Sequence, residues 1–136
     1  MANGQSYQGW GISVLRIVVG VVFLMHGWQK FGMGFDHVSG FLGSLDFPVP
    51  MVCAVILTLL EFVGGIALVL GLATRWVAAL LAVEMLVALG KVHLGHGFFY
   101  PPGVEYPLTL LAANIALALA GGGPGALDGL RGRGRA

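Results

Sequence analysis

Apolar residues in this chain come in long runs, broken only by isolated polar positions. The runs cover about residues 11–31, 49–71, 75–92 and 105–121, rich in Val, Leu, Ala and Gly. Helices of about 17–25 apolar residues match the hydrocarbon thickness of a bilayer. Lipid leaves an isolated span only the helix to satisfy its backbone groups. The pattern predicts an all-α integral membrane bundle of four transmembrane helices. Between the first two runs, Phe35, Val38, Phe41, Leu42 and Leu45 recur at helical spacing, with Asp36, His37, Ser39 and Ser44 among them. That segment is too short to cross and predicts a short interfacial helix after the first span. Phe47-Pro48-Val49-Pro50 then opens the second span with proline in its first turn. Residues 1–10 read as a polar, frayed N-terminal tail. Residues 11–121 read as the membrane domain, and 122–136, opening Gly122-Gly123-Pro124-Gly125, as a flexible basic tail with Arg131, Arg133 and Arg135.

Composition sharpens this reading. The chain is 57% hydrophobic and only 10% charged, with a mean hydropathy of +0.90, against roughly 25% charged in soluble domains. The spans leave no room for a soluble catalytic domain. A net charge of +1 gives nucleic acid no reason to bind. The single cysteine, Cys53, excludes an internal disulfide and a CxxC redox motif, and so a thiol oxidoreductase of the vitamin K epoxide reductase type. Cys53 itself reads as a packing residue. The first run is followed by no small-x-small cleavage site, so it is expected to be a retained helix and not a signal peptide.

Trp10, Trp28, Trp76, Phe98, Phe99, Tyr100 and Tyr106 fall near span ends, as an interfacial aromatic belt does. Arg75 and the tail arginines share one side of the membrane, opposite Asp36, Asp46 and Glu105. By the positive-inside rule both termini lie in the cytoplasm of a bacterial inner membrane; Lys30 and Lys91, at the outer ends, run against that asymmetry.

Three charges sit deep inside the runs, away from their ends: Arg16, Glu61 and Glu84. Ionisable groups at such depth face protein or water and mark functional sites by default. Thr58, Glu61, Gly64, Gly65 and Leu68 share one helical face, small and polar enough for another helix to approach closely. Arg16 can snorkel to the headgroups or pair with Glu61 or Glu84, and its depth favours the pair. The resulting network Arg16, Glu61, Glu84 is either a proton or small-molecule site, with Arg16 reaching a quinone carbonyl, or an ion cluster that fixes helix packing. Glu84 and Lys91, seven residues apart, align on one face but lie about 10 Å apart along the axis.

A second, outer polar cluster comprises His26, Lys30, Lys91, His93, His96 and Glu105. His93 and His96, joined by His26 and Glu105, would make a four-ligand metal set. The His-x-x-His spacing is common, however, and supplies only two ligands. A His26–His93 haem pair would lie near the outer ends of its helices, which argues against it. The other readings are interfacial histidines bonded to loop carbonyls, or a proton relay to a quinone head group at the outer leaflet.

The order and spacing of several short motifs carry a resemblance. They are Leu15-Arg16-Ile17-Val18-Val19-Gly20, His26-Gly27-Trp28-Gln29-Lys30-Phe31-Gly32, Glu61-Phe62-Val63-Gly64-Gly65, Leu70-Gly71-Leu72-Ala73-Thr74-Arg75 and Glu105-Tyr106-Pro107-Leu108. From roughly Leu15 to Leu130 the chain resembles the DoxX family of small four-helix membrane proteins. That resemblance implies a subunit of a membrane oxidoreductase assembly, such as a quinone-linked thiosulfate oxidation system or a complex concerned with thiol and oxidative stress. Quinone is the implied cofactor class. Lipid and other membrane or membrane-associated subunits are the implied partners. The alternatives are a structural or assembly subunit, or a small proton-coupled transporter. Small size and the lack of an internal repeat count against the transporter.

Overall fold

A computed structural model describes residues 2–99 and 101–133. Tyr100 and Arg135 lie outside the described residues, and the side chain of Arg133 is not described. Among the described residues six α-helices follow one another: α1 (Ala2–Met33), α2 (Phe35–Ser44), α3 (Pro50–Leu70), α4 (Thr74–Ala88), α5 (Glu105–Ala120) and α6 (Asp128–Arg133). A π turn over Leu89–His93 and a 3₁₀ turn over Leu94–His96 continue α4. No strand occurs among the described residues.

Among the described residues three stretches are long and apolar enough to cross a membrane: Ser6–Met33, Pro50–Leu70 and Thr74–His96. The fourth apolar helix, α5, has 16 residues and is about 24 Å long, somewhat short of a hydrocarbon core of about 30 Å. Large apolar side chains stand exposed on every long helix, with Trp76 at 78%. Outward apolar surface of this kind suits lipid and not water. The expected short helix after the first span is α2. Its Val38 and Leu42 bury against Ala54 of α3.

α1 and α3 make the closest contact. A Cβ at Gly27 would lie 2.5 Å from the Phe62 nitrogen, and one at Gly20 2.8 Å from the Val69 nitrogen. A side chain at Gly65 would collide with the backbone of Leu24. Two antiparallel helices therefore touch backbone to backbone, as small residues permit in membranes. α4 and α5 complete the bundle, with Leu81, Met85, Leu110 and Leu117 packed around Phe23 and Leu68.

At the end where α3 meets α4, charged side chains satisfy the helix termini. Gly71, at φ 72°, ends α3 in a left-handed turn that returns the Leu72 N–H to Ala67 O at 2.8 Å. Arg75 donates to the last carbonyls of α5, with Leu119 O at 2.7 Å. Asp128 accepts from Ala73 N at 2.7 Å and Thr74 N at 2.9 Å, capping α4 from a distant part of the chain. Burial works against this carboxylate, but the Thr74 and Ala73 N–H groups outweigh it and hold its pKa below the ordinary value.

At both ends the structure extends past the bounds of the apolar runs. α1 begins at Ala2, ahead of the first run. The segment after Gly121 is bonded back to the bundle as far as α6. Ser13 Oγ donates to Pro124 O at 2.6 Å, and the Leu127 and Asp128 N–H groups donate to Leu70 O and Gly71 O at 3.2 and 2.9 Å. Small residues, here Gly122 and Ala126, let the chain turn back onto the α3–α4 link.

The α1–α3 contact yields a prediction. Gly27→Ala and Gly65→Ala should each lower the unfolding temperature in detergent, at a cost of roughly 1–3 kcal/mol for overpacking against unyielding backbone. Gly11→Ala, where a Cβ meets nothing within 4 Å, should be neutral or slightly stabilising. Equal melting temperatures for all three variants would refute the close contact.

Candidate functional site

Glu61 faces the bundle interior and is 4% exposed, on the buried face it shares with Thr58, Gly64, Gly65 and Leu68. Its partner is Lys30, whose Nζ lies 2.5 Å from Glu61 Oε2. The helix contact explains the match. Gly27 against Phe62 sets the last turn of α1 close beside Glu61, and a helical side chain leans toward its own N-terminus. Lys30 therefore reaches back into the membrane instead of out to the surface.

Glu84 on α4 completes the cluster. Its carboxyl is in hydrogen-bond contact with that of Glu61, while its Oε2 is buried with no hydrogen-bond partner. Two carboxylates offer only acceptors, so a hydrogen bond between them needs a proton on one. A proton held by the pair satisfies the contact, and it neutralises a group of two carboxylates and one ammonium.

Above these three groups lies a cavity of about 500 Å³. Lys30, Glu61 and Glu84 form its polar floor; Leu57, Leu60 and Met85 line its walls; Phe41 and Phe47 cover it from α2 and the following turn. Ile56 and Val83 also line it, yet both are exposed on the outer faces of α3 and α4. The cavity is thus continuous with the lipid side of the bundle. Cys53, read from sequence as packing, is on its wall, with Sγ 3.2 Å from Pro48 O.

The π turn shapes the upper rim. A π turn closes i→i+5 bonds, absorbs one extra residue, and sets every later side chain back by about one position, on the order of 100°. Lys91, expected in line with Glu84, is turned away and lies 5.5 Å over the ring of Phe47. Val92 and His93 are turned toward the cavity and line it.

The expected pairing of Arg16 with a carboxylate does not occur. Arg16 is 2% exposed and donates to Leu68 O at 2.6 Å, Val69 O at 2.7 Å and Gly122 O at 2.8 Å. It neutralises the carbonyl end of α3, where a cation suits the helix dipole. Neither snorkelling nor ion pairing describes it.

The expected outer cluster divides among separate partners. His26 Nδ1 donates to Val22 O at 2.7 Å, with its ring 6.0 Å from that of Tyr106 and inclined to it by 30°. His93 Nδ1 donates to Pro102 O at 2.5 Å and His96 Nδ1 to Val92 O at 2.9 Å. Glu105 opens α5. Among the described residues no three of His, Cys, Asp and Glu converge where they could hold a metal. Lys30 leaves this cluster for the inner one and takes the place expected of Arg16.

The DoxX family model matches residues 11–94. The chain belongs to the DoxX family. A Bacillus subtilis (strain 168) protein named "Putative oxidoreductase CatD" is 36% identical, covering 87% of this chain and 84% of its own. An uncharacterized Haemophilus influenzae protein is 37% identical over 94% of this chain and 96% of its own. The Escherichia coli (strain K12) "Inner membrane protein YphA" is 32% identical over 85% and 84%. No solved structure matches the chain. The family match spans α1 to α4 and so takes in Lys30, Glu61 and Glu84.

The ion pair can be tested by a double-mutant cycle. Lys30→Met and Glu61→Gln should each destabilise the protein, toward the roughly 3–5 kcal/mol typical of a broken buried pair. The double variant should recover part of that loss. Chemical denaturation in detergent measures all four proteins, and additive losses without recovery would rule the pair out as an energetic unit.

Proposed function

We propose that this DoxX protein is an inner-membrane subunit of an oxidoreductase assembly, and that it holds a quinone-type ring in the cavity above Lys30, Glu61 and Glu84. One observation carries the reading: an apolar cavity open to lipid whose floor combines an ammonium donor with a carboxyl pair that needs a proton. Ligand sites are mostly apolar, about 300–1,000 Å³ in volume, with a few polar groups that fix orientation. Lys30 donates to a ring oxygen. The Glu61–Glu84 pair exchanges a proton with that oxygen as its charge changes. An apolar tail leaves between Ile56 and Val83 into the bilayer, so a lipid-soluble ligand enters without crossing water. The oxidoreductase and inner-membrane names of the relatives support the same direction.

In this reading the protein crosses the membrane four times. α5 is the last span, extended at its start by the turn that bonds Val104 N to Gly97 O at 3.0 Å and held at its end by Arg75. Both termini are cytoplasmic, because Arg75 and Arg131 share the α3–α4 side and Asp36, Asp46 and Glu105 the other. The cavity then belongs to the outer half of the bundle.

Ligand binding is tested on protein in nanodiscs titrated with short-chain ubiquinone and menaquinone analogues. We expect saturable binding of at least one, weakened about tenfold or more by Lys30→Met, a loss of roughly 1.4 kcal/mol or more. Leu60→Trp, which fills the cavity, should weaken it similarly. The lipid-face change Val14→Trp should not. Failure of both analogues to bind rejects the quinone reading.

Orientation has its own test. In a Cys53→Ser background, a cysteine introduced as Leu130→Cys should resist a membrane-impermeant maleimide in intact cells and react once they are opened. Ready labelling from outside would invert the topology.

A further inference from the structure

Beyond the ligand itself, the cavity raises the question of how its proton reaches water. Glu61 is buried, Glu84 Oε2 is buried, and Lys30 is engaged with Glu61. The remaining titratable side chain on the cavity wall, apart from the thiol of Cys53, is His93. This imidazole spans two environments. It lines the cavity, yet its Nδ1 bonds Pro102 O in the surface loop that precedes α5. A carbonyl only accepts, so Nδ1 carries the proton and Nε2 is left as the basic nitrogen. The π turn is what sets His93 there. In an uninterrupted α-helix residue 93 would stand about 180° from Glu84, and the extra residue absorbed by the turn brings it to within about 80°.

We propose that His93 is the port through which the proton shared by Glu61 and Glu84 exchanges with the aqueous phase beyond the Pro102 loop. The inference rests on the cavity and on the proton of the carboxyl pair, as the functional reading does, but not on which ligand enters. Water occupies about 30 Å³ per molecule in the liquid and needs polar partners to stay in a cavity; a cavity of about 500 Å³ has the room, and Lys30, Glu61, Glu84 and His93 supply the partners for a hydrogen-bonded chain along its polar side. Nε2 accepts a proton from that chain, the imidazolium releases the Nδ1 proton to water at the loop, and the neutral Nε2–H ring so formed returns to the Nδ1–H tautomer by a ring flip or by exchange of the two protons with water. In the reverse direction the same steps load the pair. On the half of the bundle that holds His93, the charged and titratable groups of the surrounding elements include His26 and Lys30 on α1, Cys53 and Glu61 on α3, Glu84 on α4, Lys91 and His96 on its own segment, and Glu105 and Tyr106 at the start of α5. Of these, Lys30, Cys53, Glu61 and Glu84 share its cavity.

The experiment uses the full chain in nanodiscs without ligand. Infrared difference spectroscopy follows the carbonyl stretch of the protonated carboxyl after a switch from H₂O to D₂O, with Glu84→Gln assigning the band to the pair. His93→Asn keeps an N–H that can donate to Pro102 O but lacks the basic nitrogen. We expect it to slow deuterium exchange at least tenfold without moving the melting temperature. We also expect His93→Ala to be slow and to regain its rate with added imidazole, whereas His96→Ala, whose ring is not on the cavity wall, stays at the wild-type rate. A merely structural role for His93 would show no imidazole rescue and a normal rate in His93→Asn. Either result overturns the proposal, as does a wild-type spectrum with no protonated carboxyl. Slow, rescuable exchange in protein that binds no quinone analogue would reject the quinone reading and leave this one standing.

Discussion

The backbone contact between α1 and α3 is the constraint on which the rest of the molecule depends. Lipid tails are as apolar as leucine, so two helices in a bilayer gain no hydrophobic free energy by meeting, and close packing must hold them. Gly20, Gly27 and Gly65 let the two axes approach until a Cβ on either side would strike backbone. That contact fixes register as well as distance. With Gly20 beside Val69 and Gly27 beside Phe62, Arg16 arrives at the carbonyl end of α3 and Lys30 at Glu61. The two cations are 14 positions apart on α1, about 21 Å along its axis, and they pin α3 at its end and near its middle.

Much of the architecture was legible in the sequence because lipid imposes so few solutions. Apolar runs of spanning length located the long helices. The spacing of Phe35, Val38, Phe41 and Leu42 located α2, and the Thr58–Glu61–Gly64–Gly65–Leu68 face proved to be the buried one. The partner of Glu61 was not legible from depth alone. Counted from Gly11, where the apolar run begins, Arg16 lies less than two turns deep; counted from Ala2, where the helix begins, it lies about four turns in, opposite an unsatisfied helix end. Lys30 looked peripheral because its Cα was counted and not the backward lean of its side chain. The seven-residue spacing of Gly20 and Gly27, with Lys30 one turn beyond, is the signal that could have found the pair. The π turn left no such mark. Glu84 and Lys91 align in any regular helix, and only the extra residue in the turn exchanges Lys91 for Val92 and His93.

The two ends of the bundle use their polar residues differently. Where α3 meets α4, Arg16, Arg75 and Asp128 each satisfy a helix terminus, and these charges have structural partners that account for them. A helix end inside a membrane protein leaves several N–H or C=O groups unbonded, and a charged side chain of the right sign supplies both the hydrogen bond and the dipole match. At the other end α2 lies across the bundle without closing it, and the polar groups there surround space. Function is therefore sought beneath α2 for a reason independent of the family: the charges at the opposite end are already used.

Within that space, the Lys30–Glu61 pair alone would be a sufficient packing device, since it is neutral, bonded and close to the helix contact that sets it. Glu84 changes the balance. A second carboxyl in contact with the first adds a group that packing does not need and that stays satisfied only while a proton is present. Ionising both carboxyls would leave a net negative charge in a low-dielectric interior, with like charges in contact, at a cost of several kcal/mol. A cation, a ligand oxygen that accepts the proton, or water leading to His93 would each relieve that cost in a different way. In the proposed reading the third charge thus couples the occupancy of the cavity to a proton, which a structural salt bridge would not do.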